Sequence, residues 1–174
     1  MKRLFLVGYM GSGKTTVGKA LSKKMNLNFT DTDWFMEQRY HKTIGELFET
    51  FGEARFREIE RQILHEVAEF EDIVIATGGG TPCFSDNMDF MKEKGITIYL
   101  SVPPQQLFER LKKPATKRPL LRGKTNEELL DYITRMLEVR EPFYNQAEII
   151  HQFTNSGVAE SIEALAGKLH SVIG

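Results

Sequence analysis

Residues 4–16 read LFLVGYMGSGKTT, and this stretch decides how the rest of the chain is read. Leu4 to Val7 form a short apolar run ending at Gly8, the pattern of a buried parallel strand. Gly8 to Thr15 then satisfy G-x-x-x-x-G-K-[ST] in full. From Lys14 onward Val17, Ala20, Leu21 and Met25 recur at helical spacing, with Lys19, Lys23 and Lys24 between them. Strand, glycine loop and helix in that order make a phosphate cradle. The glycines let backbone N–H groups curl around phosphate oxygens, and the helix start adds the positive end of its dipole. Gly11, Ser12, Gly13, Lys14, Thr15 and Thr16 are therefore the expected nucleotide contacts. Lys14 is placed for the β- and γ-phosphates and Thr15 for Mg2+, so the expected ligand is a purine triphosphate with its magnesium.

Working outward, apolar runs alternate with amphipathic ones. Strands are expected at 27–30, 73–76, 96–100 and 148–153. Thr43 and Glu46 form a capping box before a short helix through Phe48. Gly52 introduces a longer helix with Phe56, Ile59, Ile63, Leu64 and Val67 on one face. Further helices are expected near 86–93, from Pro103 and Pro104 through Leu111, after a second capping box at Thr125 and Glu128, and from Val158 to Val172. Residues 112–124, KKPATKRPLLRGK, lack apolar periodicity and read as a mobile loop. The alternation predicts an α/β fold, a parallel sheet covered by helices on both faces, with ligands at the carboxyl ends of the strands.

With 174 residues the chain suits a single domain spanning 1–174. Its 23 Lys and Arg against 24 Asp and Glu give no electrostatic reason to expect nucleic acid or an anionic membrane as partner. Cys83 is the only cysteine, which excludes an intramolecular disulfide and suits a reduced, cytoplasmic compartment. The run from Leu4 to Val7 is shorter than the roughly 7–15 apolar residues of a signal peptide, and no stretch approaches the ~18 of a membrane span. The four histidines show no metal spacing and read as surface or helix residues.

What receives the phosphate is a separate question. There is no N-K-x-D segment of the kind that reads guanine, which argues against a GTPase. Asp31 and Asp33 follow the second strand directly, where both can reach the cleft, one holding a metal-bound water and the other accepting a proton. Either could equally be a helix N-cap. Arg57, Arg118 and Arg140 recur where a helix or loop can face that cleft, and a bidentate arginine suits an acidic substrate. Any one of them alone could be a solvated charge, as Arg61, Arg122 and Arg135 are expected to be. The strand at 73–76 ends without the carboxylate that often holds the metal in nucleotide enzymes, and runs into Gly78, Gly79 and Gly80 instead. Side-chain-free positions there leave room for a ligand to approach the backbone.

The segments GYMGSGKTT, DTDWFMEQRYHKTIGELFETFGEARFREIE, ATGGGTP, RPLL and VREPFY, in that order and spacing, resemble shikimate kinase over nearly the whole chain. The resemblance implies a five-stranded sheet of nucleoside-monophosphate-kinase type, with a substrate-binding segment at about 31–61 and a lid at about 112–124. It implies transfer of the ATP γ-phosphate to the 3-hydroxyl of shikimate. Asp33 then matches the candidate base, Asp31 the carboxylate near magnesium, and Arg57 with Arg140 the clamp on the shikimate carboxylate. Gly79, within Gly78 to Gly80, matches a backbone contact to a substrate hydroxyl. Arg118 matches the lid arginine and Arg110 an arginine beside the adenine. Phe48 and Phe56 match aromatics beside the ring, although both also suit core positions, and Glu60 can orient Arg57. Where some relatives carry an adenine-packing arginine, this chain has Phe153-Thr154-Asn155-Ser156-Gly157. A monomer without macromolecular partners is expected. The rival readings are gluconate kinase or another small-metabolite P-loop kinase, neither of which accounts for the Asp33, Arg57, glycine and Arg140 set, and an idle nucleotide-binding regulator.

Overall fold

In the computed structural model, residues 2–113, 121, 123–152 and 158–173 are described. Leu4, Phe5, Leu6 and Val7 are all fully buried, which requires cover on both faces and places their strand mid-sheet. This strand, β1 (Arg3–Val7), pairs in parallel with β3 (Ile73–Ala76) on one side and β4 (Ile96–Ser101) on the other. β2 (Asn28–Asp31) adds outside β3, and β5 (Ile149–Gln152) outside β4, giving the order β2-β3-β1-β4-β5. The fold is thus the expected α/β architecture with a five-stranded parallel sheet.

The connection from β1 runs toward β2, whereas the one leaving β3 crosses to β4 on the far side. Right-handed crossovers moving in opposite directions put their helices on opposite faces. They also leave a crevice at the carboxyl end of β1, where the glycine loop sits.

The helices follow the sequence signals with two additions. α1 (Lys14–Met25) starts at Gly13 and turns Val17 and Leu21 into the core. α2 (Thr32–Tyr40) realises the alternative in which Asp31 caps a helix; only Thr32 and Met36 are buried along it, so it carries no apolar stripe to announce it. α3 (Ile44–Val67) opens with the Thr43–Glu46 capping box and is interrupted at Gly52, whose φ of 72° and ψ of 168° are non-helical. A 3-10 turn (Thr81–Cys83), α4 (Asn87–Lys94) and α5 (Pro104–Leu111) follow. α6 (Asn126–Tyr144) opens with the second capping box, Thr125–Glu128, and α7 (Val158–Ile173) closes the chain.

No helix among the described residues is long and apolar enough to cross a membrane. Most of the loop expected at 112–124 lies outside the described residues, Arg118 and Arg122 included, as do residues 153–157. One histidine departs from expectation: His151 lies on β5, and only 5% of it is exposed. Its place on the inward-facing register of the strand, alternating with exposed Ile150 and Gln152, puts it there.

Candidate active site

The glycine loop takes the form its sequence predicts. Gly11 and Gly13 adopt φ of 80° and 94°, a region that side-chain-bearing residues disfavour, and these turns bring the chain onto the start of α1. Lys14 Nζ donates to the carbonyls of Gly8 (2.7 Å) and Tyr9 (2.9 Å), which holds the ammonium across the loop. Arg110, projecting from α5, donates to Gly11 O at 3.0 Å and ties the loop from outside.

Asp31 resolves the choice between capping and cleft by doing both. Its Oδ1 accepts from the N–H groups of Asp33 (3.0 Å) and Trp34 (3.3 Å), capping α2. Its Oδ2 accepts from Thr15 Oγ1 at 2.7 Å, so the second oxygen faces the loop. Asp33 sits in the first turn of α2, leaving its carboxylate for the other side of the crevice.

That other side is the glycine run. A Cβ at Gly78 would lie 2.8 Å from Asp33 Oδ1, 2.9 Å from Thr81 Oγ1 and 3.0 Å from Glu60 Oε1. At Gly79 it would lie 3.2 Å from Met10 N and 3.6 Å from Arg140 Nη1, and at Gly80 it would lie 2.8 Å from Arg57 Nη1. Asp33, Arg140 and Arg57, far apart in sequence, thus converge on three consecutive glycines, and one of the three backs directly onto the phosphate loop. At Gly78 and Gly80 the room left by the missing side chains is bordered by the protein's own polar and charged groups. Gly79 itself lines the cleft.

Each charged group is held by others. Glu60, 2% exposed, accepts from Arg57 Nη1 (2.9 Å) and from Thr81 Oγ1 (2.7 Å), so its buried carboxylate is paired with one cation and hydrogen-bonded by one hydroxyl. The Arg57 guanidinium lies 3.8 Å from the centroid of the Phe84 ring, and Phe48 and Phe56 pack nearby with centroids 5.3 Å apart. Arg140 is buried on α6, over the Tyr9 ring and one helical turn before Tyr144. Burial opposes its charge, but Tyr144, Cys83 and Tyr9 carry its pKa above the ordinary arginine value. Burial pushes the Cys83 thiol up to about 11 despite the pull of Arg140 and Arg57, so it is a neutral packed group at physiological pH.

Sequence reasoning missed Thr32, whose buried Oγ1 accepts from Gly78 N at 3.1 Å, and Tyr144, which donates to Gly79 O at 2.6 Å. Thr32 lies between the two aspartates, and the corner they make could have pointed to it. Tyr144 follows Arg140 at i+4, the spacing of one helix face. Trp34 and Glu37 also line the cleft, a cavity of about 400 Å3 bounded by Lys14, Thr15, Asp31 and Asp33. A cavity of about 480 Å3 beside β5 and α7, lined by Gln152, Ser161 and Lys168, brings no comparable set together.

Comparison with known proteins agrees with this geometry. The shikimate kinase family profile matches residues 10–170. A shikimate kinase from Bacteroides thetaiotaomicron is 58% identical over 150 residues, covering 86% of each chain. A crystal structure of shikimate kinase from the same organism superposes with a TM-score of 0.93 at 51% identity, covering 97% of this chain and 98% of that one. Shikimate kinase from Acinetobacter baumannii in complex with shikimate superposes with a TM-score of 0.83 at 34% identity, over 99% of this chain and 93% of the other. Together with the convergence of Asp33, Arg57 and Arg140 beside a complete phosphate cradle, these matches mean that the chain belongs to the shikimate kinase family.

Proposed function

We propose that the chain transfers the γ-phosphate of ATP to the 3-hydroxyl of shikimate, giving shikimate 3-phosphate and ADP. The observation that carries this reading is the placement of one carboxylate and two arginines around Gly78 to Gly80, against the loop that cradles phosphate. Two arginines suit the carboxylate of a small acid, and a carboxylate on the opposite side suits its hydroxyls. A gluconate kinase would share the cradle, but the family profile that matches residues 10–170 is that of shikimate kinase.

Phosphoryl transfer asks for positioning and charge stabilisation more than for covalent chemistry. The backbone of Gly11 to Gly13 with Lys14, Thr15 and Thr16 binds the triphosphate, while Arg110 steadies the loop beside the adenine end. Arg57 and Arg140 grip the acceptor carboxylate, the glycine backbone and Asp33 hold its hydroxyls, and Asp33 takes the proton of the attacking one. Arg118, outside the described residues, is assigned from sequence to the transferring phosphate. Thr15 Oγ1 and Asp31 Oδ2 put two hard oxygens at the cradle, which fits Mg2+, an ion that needs only one or two protein oxygens beside phosphate and water. Thr15 and Asp31 would hold it, and it would neutralise charge developing on the β- and γ-oxygens. The chain is read as acting in the cytoplasm as a monomer.

A coupled assay for ADP release with shikimate, gluconate or no acceptor tests the assignment. ADP should appear with shikimate alone, and phosphorus NMR should place the phosphate on the 3-oxygen; turnover of gluconate at a comparable rate would refute it. Arg140→Lys keeps the charge but loses the fork, so it should cost about 1.5–3 kcal/mol of shikimate affinity by calorimetry. An unchanged affinity would remove Arg140 from the clamp.

A further inference from the structure

Tyr144 closes α6 one turn beyond Arg140, so both side chains leave the same helix face. Its ring is fully buried and tilts against Tyr99 of β4, with centroids 5.1 Å apart. A buried phenol needs partners for its oxygen, and Tyr144 has two of different kinds. The O–H donates to Gly79 O at 2.6 Å, and the positive charge of Arg140, whose Nη1 comes within 3.6 Å of where a Gly79 Cβ would lie, acts on the same oxygen. Burial pushes this phenol far above the ordinary tyrosine range, so the proton that makes the donor bond stays in place.

The bond to Gly79 O does more than satisfy a carbonyl. The Gly79–Gly80 peptide is trans, so its N–H points opposite to its C=O, and fixing the carbonyl fixes the direction of the Gly80 N–H. The preceding peptide is fixed separately, by Thr81 N donating to Gly78 O at 3.2 Å. Glycine peptides rotate more easily than others, and without such ties the run would sample several orientations. A single oxygen therefore ties down a peptide of the glycine run while standing one helical turn from Arg140.

We propose that Tyr144 is a positioning residue for the acceptor, its hydroxyl holding the Arg140 guanidinium and the Gly79–Gly80 peptide in fixed register with each other. The inference rests on shikimate being the acceptor, with its carboxylate at Arg140 and a hydroxyl at the glycine backbone. It predicts that loss of the oxygen damages acceptor binding while the ATP side, held by its own loop, is spared.

Tyr144→Phe tests this, because the ring and its packing on Tyr99 remain. The shikimate KM should rise about 10–30-fold, with the ATP KM within about twofold and kcat within about threefold. Shikimate titration followed by the fluorescence of Trp34, the only tryptophan, should give the same factor in Kd. In the double variant with Arg140→Lys the two losses should fail to multiply, since both act through one guanidinium. If the phenylalanine variant does not fold, 4-fluorophenylalanine at position 144 fills the phenol's place without a donor and should give the same rise. 4-Aminophenylalanine restores a donor and should recover the wild-type KM. A shikimate KM within twofold of wild type, an equal rise for both substrates, or fully multiplicative losses would overturn the proposal. Wild-type protein inactive toward shikimate would remove the acceptor assignment as well, whereas active wild type with an unaffected variant sinks only the role of Tyr144.

Discussion

Asp33→Asn should lower turnover with shikimate by about 10²–10⁴-fold, the range that a positioned general base supplies. Asparagine is nearly isosteric and can still hydrogen-bond an acceptor hydroxyl, but it cannot take a proton. The substitution therefore separates chemistry from binding. Asp33 stands in the first turn of α2 with its Oδ1 against Gly78, and the N-cap of that helix is Asp31. Helix and sheet should consequently survive the change. The loose transition state of phosphoryl transfer limits how much a base can contribute, which argues for the lower half of the range. Steady-state kcat and a calorimetric shikimate Kd decide the matter. A fall in kcat of less than about tenfold, or a Kd that worsens as much as kcat falls, would reduce Asp33 to a binding group.

Gly78→Ala should lower kcat/KM by about 100-fold or more, the loss expected when reacting groups are displaced by about 1 Å. Gly78 has no positive φ, so the added methyl brings no backbone strain and the whole effect is steric. The methyl would meet Asp33 Oδ1, Thr81 Oγ1 and Glu60 Oε1, all within 3.0 Å. Thr81 is fully buried and Glu60 nearly so, and the two are bonded to each other, so neither can step aside alone. Moving Asp33 displaces the proposed base; moving Glu60 breaks its bond to Arg57. Gly167→Ala, on α7 with nothing within 4 Å of the new methyl, is the control and should leave kinetics unchanged. A Gly78→Ala enzyme within fivefold of wild type would show that the pocket yields where the distances say it is full.

How much of this could be read beforehand depended on whether a feature is local. Both capping boxes, the break at Gly52 and the glycine loop are short-range patterns with one physical meaning, and all appear in the fold. α2 was hidden because a helix that buries only Thr32 and Met36 has no periodicity to detect. The grouping of Asp33, Arg57, Arg140 and the glycines came from resemblance to a family, since no spacing rule links residues 33, 57 and 140. The sense in which the glycines matter was out of reach altogether. Small residues at a strand end signal close approach, but whether a ligand or the protein's own side chains approach is settled only in three dimensions. Tyr144 illustrates the same limit, an aromatic at a helix end that sequence alone would assign to the core.

The sheet order has a bearing on how the molecule comes into being. β2 reaches β1 only through β3, which is made some forty residues later than β2 and wedges between the two. While the chain is being synthesised, Asp31 has no sheet contact to hold it beside the loop that follows β1 until Ile73 to Ala76 arrive. Such non-local insertion is slow relative to helix formation, and it leaves the edge of the apolar β1 open in the meantime. The Asp31 side of the crevice is therefore joined to the sheet only through the strand that leads into the three glycines.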